Sequence, residues 1–197
     1  MKKNFFIIIF LIFAFTQKSF AYSSDPKQFI TEIVNEAKEI LVDTNTKEFK
    51  ATKLSEIALR TVDIKGVAYY SLGNYRKQIT DEQLKEYLAL FEKYFLKSFT
   101  SRLTDYSDPK IDVLSTEVIN AKYTIVKSIL LATDKKPEVK IEWRIYTKNP
   151  DKPLIRDLII EGLSLARTQK EEFASVIETN NGDISKLFIT LKEFTAK

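Results

Sequence analysis

The chain has 197 residues, 44% of them hydrophobic, with no Cys and no His, which fits one domain of ordinary size. Lys2, Lys3 and Lys18 stand in an acid-free first stretch, and beyond residue 21 the count is 28 basic against 27 acidic side chains, so binding of nucleic acid through counterion release loses its support. Without His or Cys there is no Ser-His-Asp triad, no Cys nucleophile and no Cys or His zinc site, and four glycines are too few for a GxGxxG or Walker A cradle.

Residues 1–21, MKKNFFIIIFLIFAFTQKSFA, have the order of a secretory signal peptide: a charged start, an apolar run from Phe5 to Phe15, and small Ser19 and Ala21 flanking Phe20. The run of 11 residues is well under the roughly 20 that a membrane-spanning helix needs. Cleavage after Ala21 is expected, leaving residues 22–197 as one soluble domain in the periplasm. No Cys lies near that site to carry a lipid, and disulfides are not part of the design.

Ser24-Asp25-Pro26 predicts a helix start, and Phe29, Ile30, Ile33, Val34, Ala37, Ile40 and Leu41 follow at helical spacing. A weaker helix is expected from about Thr46 to Val62, and a third from Asp63 to Tyr75 with Gly73 marking its end. Thr80-Asp81-Glu82-Gln83 is a capping box opening the longest helix, whose stripe of Leu84, Tyr87, Leu88, Phe91, Phe95, Phe99 and Leu103 runs to about Tyr106. From Lys110 to Leu165 the chain is rich in Ile, Val, Tyr and Thr and is broken by turn signals at Asp134 to Pro137 and Asn149 to Pro153, as antiparallel strands require. Val139, Ile141, Trp143 and Ile145 alternate with Lys140, Glu142 and Arg144, predicting one dry and one wet face. The segments Tyr123 to Ala132 and Leu154 to Leu165 are apolar on both faces and read as covered strands. Helices over Thr168 to Glu178 and Ile184 to Phe194, separated by Asn180-Asn181-Gly182, close the chain. The expected fold class is α+β, with helices packed on one face of an antiparallel sheet and enclosing an apolar cavity.

Asp157, Glu161, Glu171 and Glu172 are the candidate carboxylates for acid/base work. Glu171 and Glu172 fall in the first turn of a predicted helix, where acids suit the dipole. Asp157 and Glu161, four apart on an apolar strand, are expected to share a face and remain the pair a carboxylate-only hydrolase would use. The dense aromatics Tyr69, Tyr70, Tyr75, Tyr87, Phe91, Tyr94, Phe95 and Phe99 suit a packed core or the wall of a lipid pocket, and periodicity does not separate the two.

Two stretches carry a resemblance. YSLGNYRKQITDEQLKEYLALFEKYF, Tyr70 to Phe95, and RDLIIEGLSLARTQKEEFASVIETNNGDISKL, Arg156 to Leu187, resemble blocks of the MlaC family, also called the toluene-tolerance auxiliary component. The second block has Asp157, Glu161-Gly162, Ser164-Leu165, Phe173 and Gly182-Asp183 in place, while Tyr75, Lys170 and Pro153 depart from the usual Trp, Arg and Trp. The resemblance implies a phospholipid carrier and not an enzyme, a monomer without cofactor, metal or nucleic acid. Its implied partners are a glycerophospholipid, an outer-membrane lipoprotein complex and the MCE-domain protein of an inner-membrane ABC transporter, in a system maintaining outer-membrane lipid asymmetry. A binding module for another hydrophobic or solvent-like ligand is the alternative. A methylene moved from bilayer to water costs about 0.8 kcal/mol, so roughly thirty methylenes in two tails would cost on the order of 25 kcal/mol. A carrier therefore needs a large apolar interior, and the lining residues expected on this reading are Val67, Leu72, Tyr75, Leu88, Phe91, Trp143, Ile145, Ile159 and Leu163.

Overall fold

The computed structural model describes residues 22–134 and 136–196. The expected leader, residues 1–21, lies outside the described residues. Among the described residues the order is α1 (Pro26–Val42), α2 (Lys47–Thr61), α3 (Ile64–Leu72), a 3-10 turn (Gly73–Lys77), α4 (Asp81–Leu103), β1 (Ile111–Asn120), β2 (Tyr123–Leu130), β3 (Val139–Tyr146), β4 (Leu154–Ile160), β5 (Leu163–Ser164), α5 (Leu165–Glu178) and α6 (Ile184–Ala196). The strands form one antiparallel sheet in the order β1-β2-β3-β4-β5, and the fold is α+β.

Local chemistry sets the helix starts. Asp25, Thr46, Asp63, Thr80 and Ser164 each accept a backbone N–H of the first turn, satisfying donors that have no partner within the helix. At Thr80 both halves of the capping box are formed. Ser164 starts α5 at Leu165, three residues before the expected Thr168. The expected strand from Leu154 to Leu165 is in fact β4 and β5 folded about Glu161 and Gly162, both with positive φ (48° and 81°). Two successive left-handed residues make the tight reversal that a hairpin of right-twisted strands requires.

Side chains gather into two cores. In the first, α1 and α2 cover the inner face of the sheet, where Val126, Ile145 and Ile155 pack with Phe29, Ile30, Ile33, Leu54 and Ile57. In the second, α3, α4, α5 and α6 bury Val67, Leu72, Tyr87, Phe91, Phe173, Ile177 and Leu187 among themselves. Tyr87 anchors this bundle: its ring stacks on Phe188 at 6.2 Å, meets Phe173 edge-on at 6.4 Å, and its hydroxyl donates to the Ala68 carbonyl at 3.0 Å.

The cores are joined along the outer edge of β4. Val62 bridges to Ile155, the Asp63 N–H donates to the Ile155 carbonyl at 2.9 Å, and Arg156 pairs with Asp63 at 2.7 Å. Val62 packs against both cores. At the other end of β4 the edge is taken by β5. A strand edge that could pair with another chain is thus closed by the polypeptide itself.

Candidate functional site

The register determines which side chains share the inner face. Val126 lies opposite Trp143 and Trp143 opposite Leu158; Ser128 lies opposite Ile141 and Ile141 opposite Ile160. Near α1 this face is fully covered, since Val126 and Ile145 are wholly buried. Toward the start of β3 and the end of β4, however, Val139, Ile141, Trp143, Leu158 and Ile160 are only half-buried. The expected dry face is therefore dry at one end and incompletely covered at the other.

The long helix α4 carries a second stretch of half-buried apolar surface. Its stripe passes from Phe91, in the helical core, to Leu103, which packs against the sheet core. Between them Phe95 and Phe99 are half-buried, and the rings stack in series, Phe91 on Phe95 at 6.2 Å and Phe95 on Phe99 at 5.8 Å. The stretch of α4 that passes from one core to the other is therefore a seam of partly exposed apolar surface, whose exposure costs roughly 25 cal/mol per Å². On the inner sheet face Trp143 is held by its indole N–H, which donates to the buried Ser128 Oγ at 2.9 Å, and Ser128 in turn donates to the Ile141 carbonyl at 3.3 Å.

A separate hollow of about 300 Å³ opens between α3 and α4, bordered by Ile64, Ala68, Leu88 and Ala89 with Lys65 and Glu92 at its rim. The nine residues expected to line a cavity divide among these places. Val67, Leu72 and Phe91 are buried in the helical core, with Tyr75 and Leu88 packed on its edge. Trp143 and Ile145 stand on the inner sheet face, the first half-buried and the second fully buried. Ile159 lies opposite Glu142, on the other face, and Leu163, 62% exposed, sits just past the β4 reversal. Phe95, Phe99, Ile141, Leu158 and Ile160 were not among the nine. The first two were legible as part of the α4 stripe and Ile141 as part of the β3 alternation; Leu158 and Ile160 needed the strand register.

The carboxylate pair does not form. Glu161 is in the turn, where it accepts the Lys140 N–H at 2.5 Å, whereas Asp157 is buried on the strand. Asp157 accepts from Ser164 Oγ at 2.6 Å, the Ala166 N–H at 3.0 Å and Arg144 Nη1 at 3.4 Å. Its oxygens are committed to tying α5 to the sheet, and the expectation that Asp157 and Glu161 share a strand face is corrected accordingly. Tyr87 also stays neutral, because burial pushes its phenol well above the ordinary range. Among the described residues no group of three or more acids, His or Cys is placed to hold a metal, and no helix is long and apolar enough to cross a membrane.

The sequence model of the MlaC family, described as "MlaC protein", matches residues 28–193. Among solved structures the chain resembles a phospholipid-binding protein from Ralstonia solanacearum in complex with a phospholipid. The TM-score is 0.73 at 19% identity, over 88% of this chain and 97% of that one.

Proposed function

This chain belongs to the MlaC family, and from that premise we propose that it is a soluble periplasmic phospholipid carrier, exported by a leader over residues 1–21. It passes lipid between an outer-membrane lipoprotein complex and the MCE-domain protein of an inner-membrane ABC transporter, and so serves outer-membrane lipid asymmetry. The reading is carried by the half-buried apolar seam, lying on a fold that in the Ralstonia protein accompanies a bound phospholipid.

Room decides how lipid enters. A water-sized volume is about 30 Å³ and a methylene is comparable, so thirty methylenes need on the order of 900 Å³. The hollow beside Leu88, about 300 Å³, is too small. Tails would enter between the sheet core and the helical core, which act as two stiff walls, with Phe95 and Phe99 of α4 and the half-buried residues of the inner face as the apolar surfaces open to them. The headgroup stays in water, so the site needs no catalytic group. A carboxylate hydrolase is disfavoured by the commitment of Asp157 to three donors.

The test is organic extraction of protein recovered after export, followed by mass spectrometry. Intact phospholipid near stoichiometric amounts is expected. Lipid no higher than in a control periplasmic protein overturns the carrier reading; release of lyso-lipid or fatty acid from added phospholipid favours the hydrolase; a different retained apolar compound favours the alternative ligand.

A further inference from the structure

Chain termini are usually the least constrained part of a domain, yet Tyr22 and Ser23 are pinned. The Tyr22 ring meets Phe29 edge-on at 5.8 Å and packs against the sheet core, and the Arg60 guanidinium lies 5.3 Å from its centroid. Its hydroxyl donates to Glu36, which also takes Arg60 Nη2 at 2.6 Å. Burial and the Glu36 charge hold the phenol well above its ordinary range, so it remains a donor. One residue on, the Ser23 N–H donates to Glu32 Oε2 at 2.8 Å, while Glu32 Oε1 accepts Gln28 Nε2 at 3.1 Å.

The charges around this clasp are unequal. Glu32 and Glu36 stand one turn apart on α1, a spacing at which like charges repel. From α2 the facing groups are Arg60, paired with Glu36, and Glu56, which is occupied by Lys53. Glu32 receives only neutral donors, and among the described residues it forms no ion pair. Because successive Cα atoms are about 3.8 Å apart, the Tyr22 nitrogen lies within about 4 Å of the Ser23 nitrogen, and so no more than about 7 Å from Glu32 Oε2, a gap that a turn about the Tyr22 backbone and the Glu32 side-chain bonds can close.

We propose that Tyr22 is the anchored first residue of the processed chain, and that the ammonium freed at its nitrogen by cleavage of the Ala21-Tyr22 bond is received by Glu32. Before cleavage that nitrogen is an uncharged amide. Hydrolysis by the export pathway's processing peptidase breaks the C–N bond. The hydroxyl of water goes to the Ala21 carbonyl carbon and its hydrogen to the Tyr22 nitrogen, and the proton lost by the new carboxyl is matched by the one the amine takes up. Processing thus places a cation next to the acid that lacks one, and the folded domain holds its own new terminus. The inference rests on the export reading for the cleavage and on Tyr22, Ser23, Glu32 and Glu36 for the anchor.

The experiment uses protein recovered after export, wild type and Glu32→Gln, the glutamine retaining an acceptor for the Ser23 N–H. Intact mass gives the first residue, and the pH dependence of amine modification, followed by peptide mass spectrometry, gives the pKa of the terminal amine. Expected are Tyr22 as first residue and an amine pKa raised by about one unit above the usual 7.7–8.0, with the rise lost in Glu32→Gln. A first residue other than Tyr22 overturns the cleavage position and the anchor with it. Tyr22 at the terminus with an ordinary pKa, or a rise that survives Glu32→Gln, overturns the anchor alone and leaves the carrier reading intact.

Discussion

The Asp157 carboxylate accepts the Ser164 hydroxyl at 2.6 Å. These residues lie on either side of the Glu161-Gly162 reversal, and the same carboxylate also takes the Ala166 N–H of the first turn of α5. A single buried acid therefore fixes the angle at which α5 leaves the sheet, and through α5 it positions the helical core against β4. The helix N-terminus favours this charge, which offsets part of the cost of burying it.

Asp157→Ala should accordingly destabilise by about 3 kcal/mol, the scale for breaking a buried, hydrogen-bonded charge. Thermal unfolding should show a midpoint lowered by roughly 6 to 12 °C. Asp157→Asn, which keeps one acceptor oxygen, should fall between this and wild type. A variant that melts like wild type would mean that the three bonds contribute nothing to the joint between α5 and the sheet.

The seam and the core should respond differently to substitution. Phe99→Glu puts a carboxylate among half-buried apolar surface at the seam and should weaken phospholipid binding at least tenfold, while the delipidated protein keeps a midpoint within about 6 °C of wild type. Val67 is 8% exposed in the helical core, and Val67→Trp should cost about 1 to 3 kcal/mol through overpacking. Both comparisons use delipidated protein, since bound lipid raises the midpoint by mass action. Equal lipid binding by Phe99→Glu and wild type would remove the seam from the lipid path.

Gly162→Ala tests the reversal between β4 and β5. The residue has φ of 81°, and a methyl built there meets nothing within 4 Å. The expected cost is therefore backbone strain alone, about 1 to 2 kcal/mol, read as a midpoint lowered by roughly 2 to 8 °C with lipid binding retained. A larger loss would mean that this turn also sets contacts farther away.

Alkali should unfold the protein by ionising phenols. Tyr87, raised chiefly by burial, and Tyr22, raised by burial and Glu36, have folded pKa values above their ordinary value near 10. For a group raised in the folded state, the stabilisation is complete below the unfolded pKa and is lost as pH rises beyond it. Stability should therefore decline above about pH 10, and absorbance of tyrosinate should report these two phenols only as the chain unfolds. Their titration near pH 10 in the folded protein would contradict the burial described.

Much of this was readable one residue at a time. The Asp25, Thr46 and Thr80 caps are local chemistry, and the α1 and α4 stripes follow from a 3.6-residue period. The Glu161-Gly162 pair was part of the family resemblance, yet the strand reading ran straight through it. An apolar run looks the same whether it continues or reverses, and only paired backbone bonds distinguish the two.

By itself, then, the sequence determined the composition of the interior, the helix starts, the change from helices to strands and the absence of His and Cys chemistry, because each depends on residue type or short spacing. Tertiary structure alone decided that the buried side chains divide into two cores, that Ile159 and Trp143 face opposite ways, and that Asp157 is a buried joint and not an exposed acid. Those outcomes depend on strand register and on which helix meets which edge. Register turns on pairing between segments far apart in the chain, and a shift of one residue exchanges the two faces of a strand.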